Sequence, residues 1–341
     1  NCIFKGRHTA PGAQNRMGWV FLTPTYTGQG IKISNCTFLG DIAGTAGPTF
    51  IARFSSAVKE GAGIIASANI NVDISNCQFH SYVTGVGVAA GFVNLSGCTY
   101  WGNTFGVQIG RDTAFDFSGV DATYTGWDHS IELQISGCIF EHNATGVGVQ
   151  IRRNTLTTSI PSSLYIKSSM FRGLTSGIDA TDLSTACTGT VGALATHYRD
   201  IAVTDSDFRS LVAAAFRSSG FANSTTSAAS ARDWGVDNFN YSNNRHFGDV
   251  SVSGVNYVNG SAFTATITGN QFSSIATTGA DLVILSVQGG ARHLTLSDNR
   301  LLNCAPVAAS EVTCLLVNVS SVSADYCVDN NLIRNEGQAA V

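Results

Sequence analysis

The sequence predicts an all-β fold, a right-handed parallel β-helix of roughly ten or more coils stacked along one axis. Three observations predict it. Composition comes first: 44% of the 341 residues are hydrophobic and 12% charged, with 36 Gly, 5 Pro and 2 Met. Short β-branched runs broken by Gly, Asn and Asp dominate, and no stretch carries the spacing of a long amphipathic helix. The second is a recurring eight-residue motif. The third is the block-wise choice of residue at the motif's sixth position.

The motif reads apolar, any, apolar, Ser/Thr, small polar, Cys/Ser/Asn, any, then aromatic or large apolar. Copies end at Phe38, Phe79, Tyr100, Phe140, Phe171, Phe208, Phe272, Leu301 and Ile333, and Cys2 to Phe4 form the tail of another. Weaker copies fall at Phe239 to Asn244, Phe115 to Val120 and Val250 to Tyr257. The sixth position is Cys at 2, 36, 77, 98 and 138, Ser at 169 and 206, and Asn at 244, 270, 299 and 331. Copies stacked in register place these residues about 4.8 Å apart. The result is an inward thiol column, then hydroxyls, then amides that bond to one another. Such blocks imply that neighbours along the chain touch, as in a solenoid.

A second register supports this one. Gly44, Gly85, Gly106, Gly146 and Gly177 each lie eight residues after the ladder, suiting a tight corner at positive φ. Val86, Val107, Val147 and Ile178 follow four of them, so each coil is expected to hold a strand, a turn and a second strand. The shortest interval, Cys77 to Cys98, is the expected minimal coil. Longer intervals signal a missed coil or an outward loop, with candidate loops at 49–70, 183–200 and 217–238. The whole chain, 1–341, is expected to be one β-helix domain cut or processed from a longer protein, because it opens without Met and starts and stops within motif copies.

Composition also excludes functions. A formal net charge of −4 is too weak for an electrostatic nucleic-acid binder. The chain is too apolar for disorder, and no uninterrupted apolar run of about 18 residues could insert in a membrane as a helix. No cofactor motif is present. Five of nine Cys belong to the ladder at intervals matching no zinc site, so no metal is expected. They read as small buried filler, retained as thiols by assembly in a reducing cytoplasm. A disulfide among Cys304, Cys314 and Cys327 stays open.

The repeat resembles the pectin-lyase-like β-helix superfamily, most of all phage tailspikes and related surface-polysaccharide-binding proteins. The resemblance covers nearly the whole chain but is architectural, and folds of this kind carry lyases, hydrolases, adhesins and inert stalks. The Arg-X-Pro-X-X-Arg segment of pectate lyases is absent, as are the Asn-Thr-Asp, Gly-His-Gly and Arg-Ile-Lys signatures of polygalacturonases. Trp127-Asp128-His129 only partly matches a pectate-lyase Trp-Ile-Asp-His element, and a pectin-degrading enzyme is disfavoured.

Polar-aromatic clusters recur upstream of the ladder: Trp127, Asp128 and His129 with Glu132; His197, Tyr198, Arg199 and Asp200; and Arg232, Asp233 and Trp234 with Asp237. Similar offsets place them near one edge. Rings stack on sugar faces, while carboxylates and guanidinium bind hydroxyls. Glu132 and Asp200 both lie six residues before the ladder. Two rungs separate them by roughly 10 Å, near the upper limit for an inverting glycosidase pair. They are the candidate acid and base; Trp127, Asp128, His129, Tyr198, Arg199, Asp233 and Trp234 are the candidate sugar-binding residues. The alternative is that all are solvated loop residues. A second outward patch comprises Gln108, Arg111, Asp112, Gln150, Arg152, Arg153, Asp179 and Asp182, read either as an acidic-sugar site or as salt-linked surface.

The expectation that follows is a tailspike-like homotrimer, on a virion tail or at a cell surface, that binds and in one version cleaves a host cell-surface polysaccharide. A non-catalytic stalk or adhesin, and a secreted lyase or hydrolase acting as a monomer, are the competing readings.

Overall fold

The computed structural model describes residues 2–5, 18–22, 30–40, 60–66, 70–110, 131–142, 145–151, 162–181, 198–218, 236–248, 250–251, 256–259, 262–277, 282–287, 291–306, 312–317 and 325–334. They form a right-handed parallel β-helix. Three parallel sheets run its length, of eleven, ten and ten strands, and a fourth of three strands flanks the later coils.

One coil shows how the sequence builds the rest. Asn71–Ser75 lies in what is termed the motif sheet, Gln78–His80 in the ring sheet and Tyr82–Val88 in the glycine sheet. The next coil repeats the order with Gly91–Ser96, Thr99–Trp101 and Phe105–Ile109. A coil therefore carries three principal strands rather than the expected two, because the motif bends between its fifth and seventh residues. The fifth residue of every described copy sits at positive φ: Asn35, Asn76, Gly97, Gly137, Ser168, Asp205, Asn243, Gly269, Asp298 and Asn330, at 49 to 67°. Only Gly, Asn, Asp and other small polar residues enter that region cheaply, which is why the fifth position is always small and polar.

The register matches the motif residue for residue. Gln78, Thr99, Ile139 and Met170 follow the ladder and pair in succession. The ladder residues Cys77, Cys98, Cys138, Ser169, Ser206, Asn244, Asn270 and Asn299 are all nearly inaccessible. Asn270 accepts from the Asn244 amides at 2.9 and 3.2 Å and donates to Asn299 Oδ1 at 2.9 Å and to the Tyr241 carbonyl at 2.9 Å. The thiols repeat the last contact at longer range, Cys77 to the Ile33 carbonyl at 3.7 Å and Cys98 to that of Ile74 at 3.5 Å. The adjacent Cys138 thiol, aided by burial, pushes Cys98 up to about 12, while the bond with Cys98 holds Cys138 below the ordinary thiol value.

Two residues beyond the ladder, ring after ring stacks face to face from Phe4 through Phe38, Phe79, Tyr100, Phe140, Phe171, Phe208 and His246 to Phe272. Centroids are 4.3 to 5.1 Å apart. Aliphatic columns such as Val93, Leu133, Leu164 and Ile201 fill the rest of the interior.

The structure corrects several expectations. Gly85, Gly106, Gly146 and Gly177 are not the positive-φ corners; Gly44 lies outside the described residues. Four residues after the ladder, Ser81, Gly102, Gly173, Ser210, Gly248, Ser274 and Asn303 take that role. In register, the glycine column is Gly85, Gly106, Gly148 and Gly177, so Val149 rather than Val147 aligns with Val107. A Cβ on Gly106 would stand 2.5 Å from the Phe140 ring and 2.7 Å from the Gly148 carbonyl. Close approach to the rings, not turn geometry, selects glycine there.

The long intervals hide no missed coil, because the motif strands on either side of each pair directly with one another. Strands Glu60–Ala66, Tyr198–Thr204 and Val236–Ser242 take back part of the expected loops. Val250 to Tyr257 is not a motif copy but spans a strand of the small sheet and the start of one in the glycine sheet; Phe115 to Val120 lies outside the described residues. Cys304 and Cys327 are both free thiols, which removes any disulfide among the last three cysteines.

Candidate functional site

Strict alternation in the motif sheet turns the first and third motif residues inward and the residues between and before them outward. One outward row runs Phe92, Glu132, Ser163, Asp200, Asn238 and Thr264, successive partners in register. The next contains Asn94, Gln134, Tyr165, Ala202 and Asn240. Glu132 and Asp200 thus share a row, with Ser163 between them. Two rungs make their separation roughly 10 Å.

A bulge organises the centre of the row. Ser162 pairs with Tyr198 but Ser163 pairs with Asp200, leaving Arg199 as the extra residue. Bulges re-aim side chains, and here the guanidinium turns back along the face. Arg199 Nε donates to Asp200 Oδ2 at 3.0 Å and Nη2 to Ser163 Oγ at 3.3 Å. Tyr165 Oη donates to the same Asp200 oxygen at 2.8 Å, and Asn238 Nδ2 donates to Oδ1 at 3.0 Å. Partial burial pushes the Asp200 carboxyl up, but donation from Asn238, Tyr165 and Arg199 outweighs it and holds the group below its ordinary value. Burial, and after it the bond to Asp200, raises the Tyr165 phenol. Asp200 is therefore a fixed carboxylate that aligns a phenol, a guanidinium and an amide along an open face. Glu132 accepts from Gln134 Nε2 at 3.2 Å.

Of the residues expected here, Glu132, Arg199 and Asp200 lie on this face. Tyr198 does not: it is fully buried, because it precedes the bulge on the inward side of the strand, and it belongs to the core rather than to a groove. Trp127, Asp128, His129, Asp233 and Trp234 lie outside the described residues, as do His197 and Arg232. Tyr165, Ser163 and Asn238 were missed, although the signal was present. Ser163 and Asn238 stand six residues before Ser169 and Asn244, the offset shared by Glu132 and Asp200. Tyr165 sits between Leu164 and Ile166, where alternation turns it out.

In the second patch, Gln108, Gln150 and Asp179 also form one row. Gln108 is buried rather than outward-exposed. Its amide carbonyl accepts from the Thr84 hydroxyl and its Nε2 donates to Gln150 at 3.1 Å, so neighbouring coils consume its polarity. Arg111, Asp112, Arg152, Arg153 and Asp182 lie outside the described residues. Among the described residues no three His, Cys, Asp or Glu gather as a metal site, and no helix is long and apolar enough to cross a membrane.

No family model matches the sequence, and no curated protein matches it. Among solved structures the chain is similar to the crystal structure of DFA-IIIase from Arthrobacter chlorophenolicus A6 in complex with GF2, with 13% identity over 94% of this chain and 86% of that one and a TM-score of 0.28.

Proposed function

We propose that the chain is the β-helix of a tailspike-like protein that binds a cell-surface polysaccharide along the outer face of its motif sheet. The observation that carries the reading is the bulge at Arg199, which brings its guanidinium beside the Tyr165 phenol and the Asn238 amide around one ionised carboxylate on the outer side of the strand. Fixed donors of this kind suit the hydroxyls of a glycan at low cost in ordering. The proposed assembly is a homotrimer displayed on a virion tail or cell surface.

A second reading adds cleavage. Asp200 stays ionised and shares a row with Glu132, so Asp200 is the proposed base and Glu132 the acid of an inverting hydrolysis.

The test is retention of capsular and O-antigen polysaccharides on a glycan array by wild type, Asp200→Asn and Glu132→Gln. Retention by wild type is expected, weakened in Asp200→Asn because Tyr165 and Arg199 lose their common anchor. If the site cleaves, Glu132→Gln retains the glycan but releases no new reducing ends. A chain that retains no glycan is a stalk. One that degrades glycans as a monomer in light scattering is a secreted enzyme. Either result overturns the proposal.

A further inference from the structure

The outer face of the ring sheet carries a second constellation, on a different side of the coil. Outward positions flank the buried rings in the strands Ile139–Glu141, Met170–Arg172, Asp207–Arg209, Arg245–Phe247, Gln271–Ser273 and Arg300–Leu302. These strands present Arg172, Arg209, Arg245 and Arg300 against two acids, Glu141 and Asp207, in a chain whose net charge is −4.

The arrangement is most ordered across three coils. Asp207 pairs in register with Arg245, and Arg209 with Phe247. Arg245 donates Nε to Asp207 Oδ1 at 2.7 Å and Nη2 to Oδ2 at 3.0 Å, while Arg209 Nη2 reaches Oδ2 at 3.1 Å. The Asp207 side chain is recessed at 14% exposure, whereas those of Arg209 and Arg245 are 50% and 69% exposed. One sunken carboxylate thus aligns two guanidiniums and leaves their remaining N–H groups facing out. Phe247 lies beside them at 62% exposure. Together with Gln271 and Ser273 these residues line a surface depression of about 360 Å³.

An open ring, two aligned guanidiniums and a neighbouring amide and hydroxyl match the chemistry of one ligand class. An acidic pyranose has an apolar C–H face for Phe247, a carboxylate for the guanidinium pair and hydroxyls for Gln271, Ser273 and Asp207. The local coil spacing, 4.3 to 4.9 Å between stacked rings, is close to the length of one sugar unit. Arg172 and Arg300 stand outside the residues that line the depression. We propose that this depression binds a hexuronate unit of an anionic polysaccharide lying along the solenoid axis. The proposal does not depend on the motif-sheet reading.

Affinity electrophoresis through polygalacturonate, alginate and hyaluronan, each beside its carboxyl-reduced neutral form, tests it. Wild type is compared with Arg209→Gln/Arg245→Gln, Phe247→Ala and Arg300→Gln. At least one polyuronate should retard wild type, its reduced form should not, and added salt should weaken the retardation. The double variant should bind about tenfold or more weakly, and Phe247→Ala should also lose affinity. Arg300→Gln should bind within about twofold of wild type. All four ring-sheet positions are exposed, so circular dichroism should match wild type, and only the double variant, which leaves the recessed Asp207 unpaired, should melt lower. Absence of binding to all three polymers overturns the proposal. So does binding that survives carboxyl reduction, or an Arg300→Gln loss equal to that of the double variant, which would mark a diffuse basic surface.

Discussion

His246 occupies a place that every neighbouring coil up to Phe272 gives to Phe or Tyr, stacked 4.9 Å from Phe208 and 4.3 Å from Phe272. Complete burial drives its pKa well below 6.5, and Tyr241 Oη lies 3.2 Å from its Nε2. The unfolded chain binds a proton below about pH 6.5 that the folded chain refuses. Stability is therefore fully present above that pH and declines as pH falls toward the folded value, by up to about 1.4 kcal/mol per pH unit. His246→Phe should abolish this one-proton slope while leaving the fold unchanged, as read by urea unfolding at a series of pH values. Equal slopes in wild type and variant would contradict it. The ladder amide is the other decisive single residue. Asn270→Leu strips partners from the Asn244 backbone and side-chain amides, the Tyr241 carbonyl and Asn299 Oδ1. Each buried group left unpaired costs about 1–3 kcal/mol. At least one such loss should appear in the same unfolding measurement, and a neutral variant would mean that water enters the column.

Among elements, the strands of the glycine sheet are held against the rings by what they lack. Gly106→Ala should destabilise by about 1–3 kcal/mol through overpacking, because its Cβ meets both the Phe140 ring and the Gly148 carbonyl. Pairing it with Phe140→Leu should recover part of the loss in a double-mutant cycle; strict additivity would argue against the contact. This element also shows where reading the sequence stops. The ladder and ring columns were legible because identical residues recur at a fixed offset, and each contact there is between like positions on adjacent coils. The glycines were found but assigned to corners, since an invariant Gly looks the same whether it serves φ or close approach. The true corners, at Asn76 and Ser81 for example, were hidden because several residue types share them. At the candidate site, the common row of Glu132 and Asp200 followed from their equal offset. The bulge that places Arg199 and buries Tyr198 did not, because one extra residue in a strand leaves no mark in a pattern of apolar spacing.

Across the whole molecule, every pairing in the three long sheets joins a coil only to the coil before and the coil after it. Energy in such a stack is close to a sum of coil terms and nearest-neighbour interfaces. Among the described residues no contact carries the state of the Asn ladder directly to the Cys ladder; it passes through the Ser169 and Ser206 coils, where single hydroxyls accept from the backbone amide of the preceding coil at 3.2 Å. Damage in one block should therefore stay local. In Asn270→Leu, amide hydrogen exchange should accelerate in the strands Val236–Ser242, Ala262–Thr268 and Ala291–Ser297, which surround the vacated amide. Protection of Asn71–Ser75 and Gly91–Ser96, beside Cys77 and Cys98, should match wild type. Hydrogen exchange resolved by mass spectrometry separates this from the alternative, a single cooperative unit. In that case the variant would lose protection everywhere by the same free energy as its drop in global stability. Confinement is the expected result because the rings, although continuous from Phe4 to Phe272, add only about 0.5–1.5 kcal/mol per stacked pair. Each pair is an interface between two coils rather than a link across many.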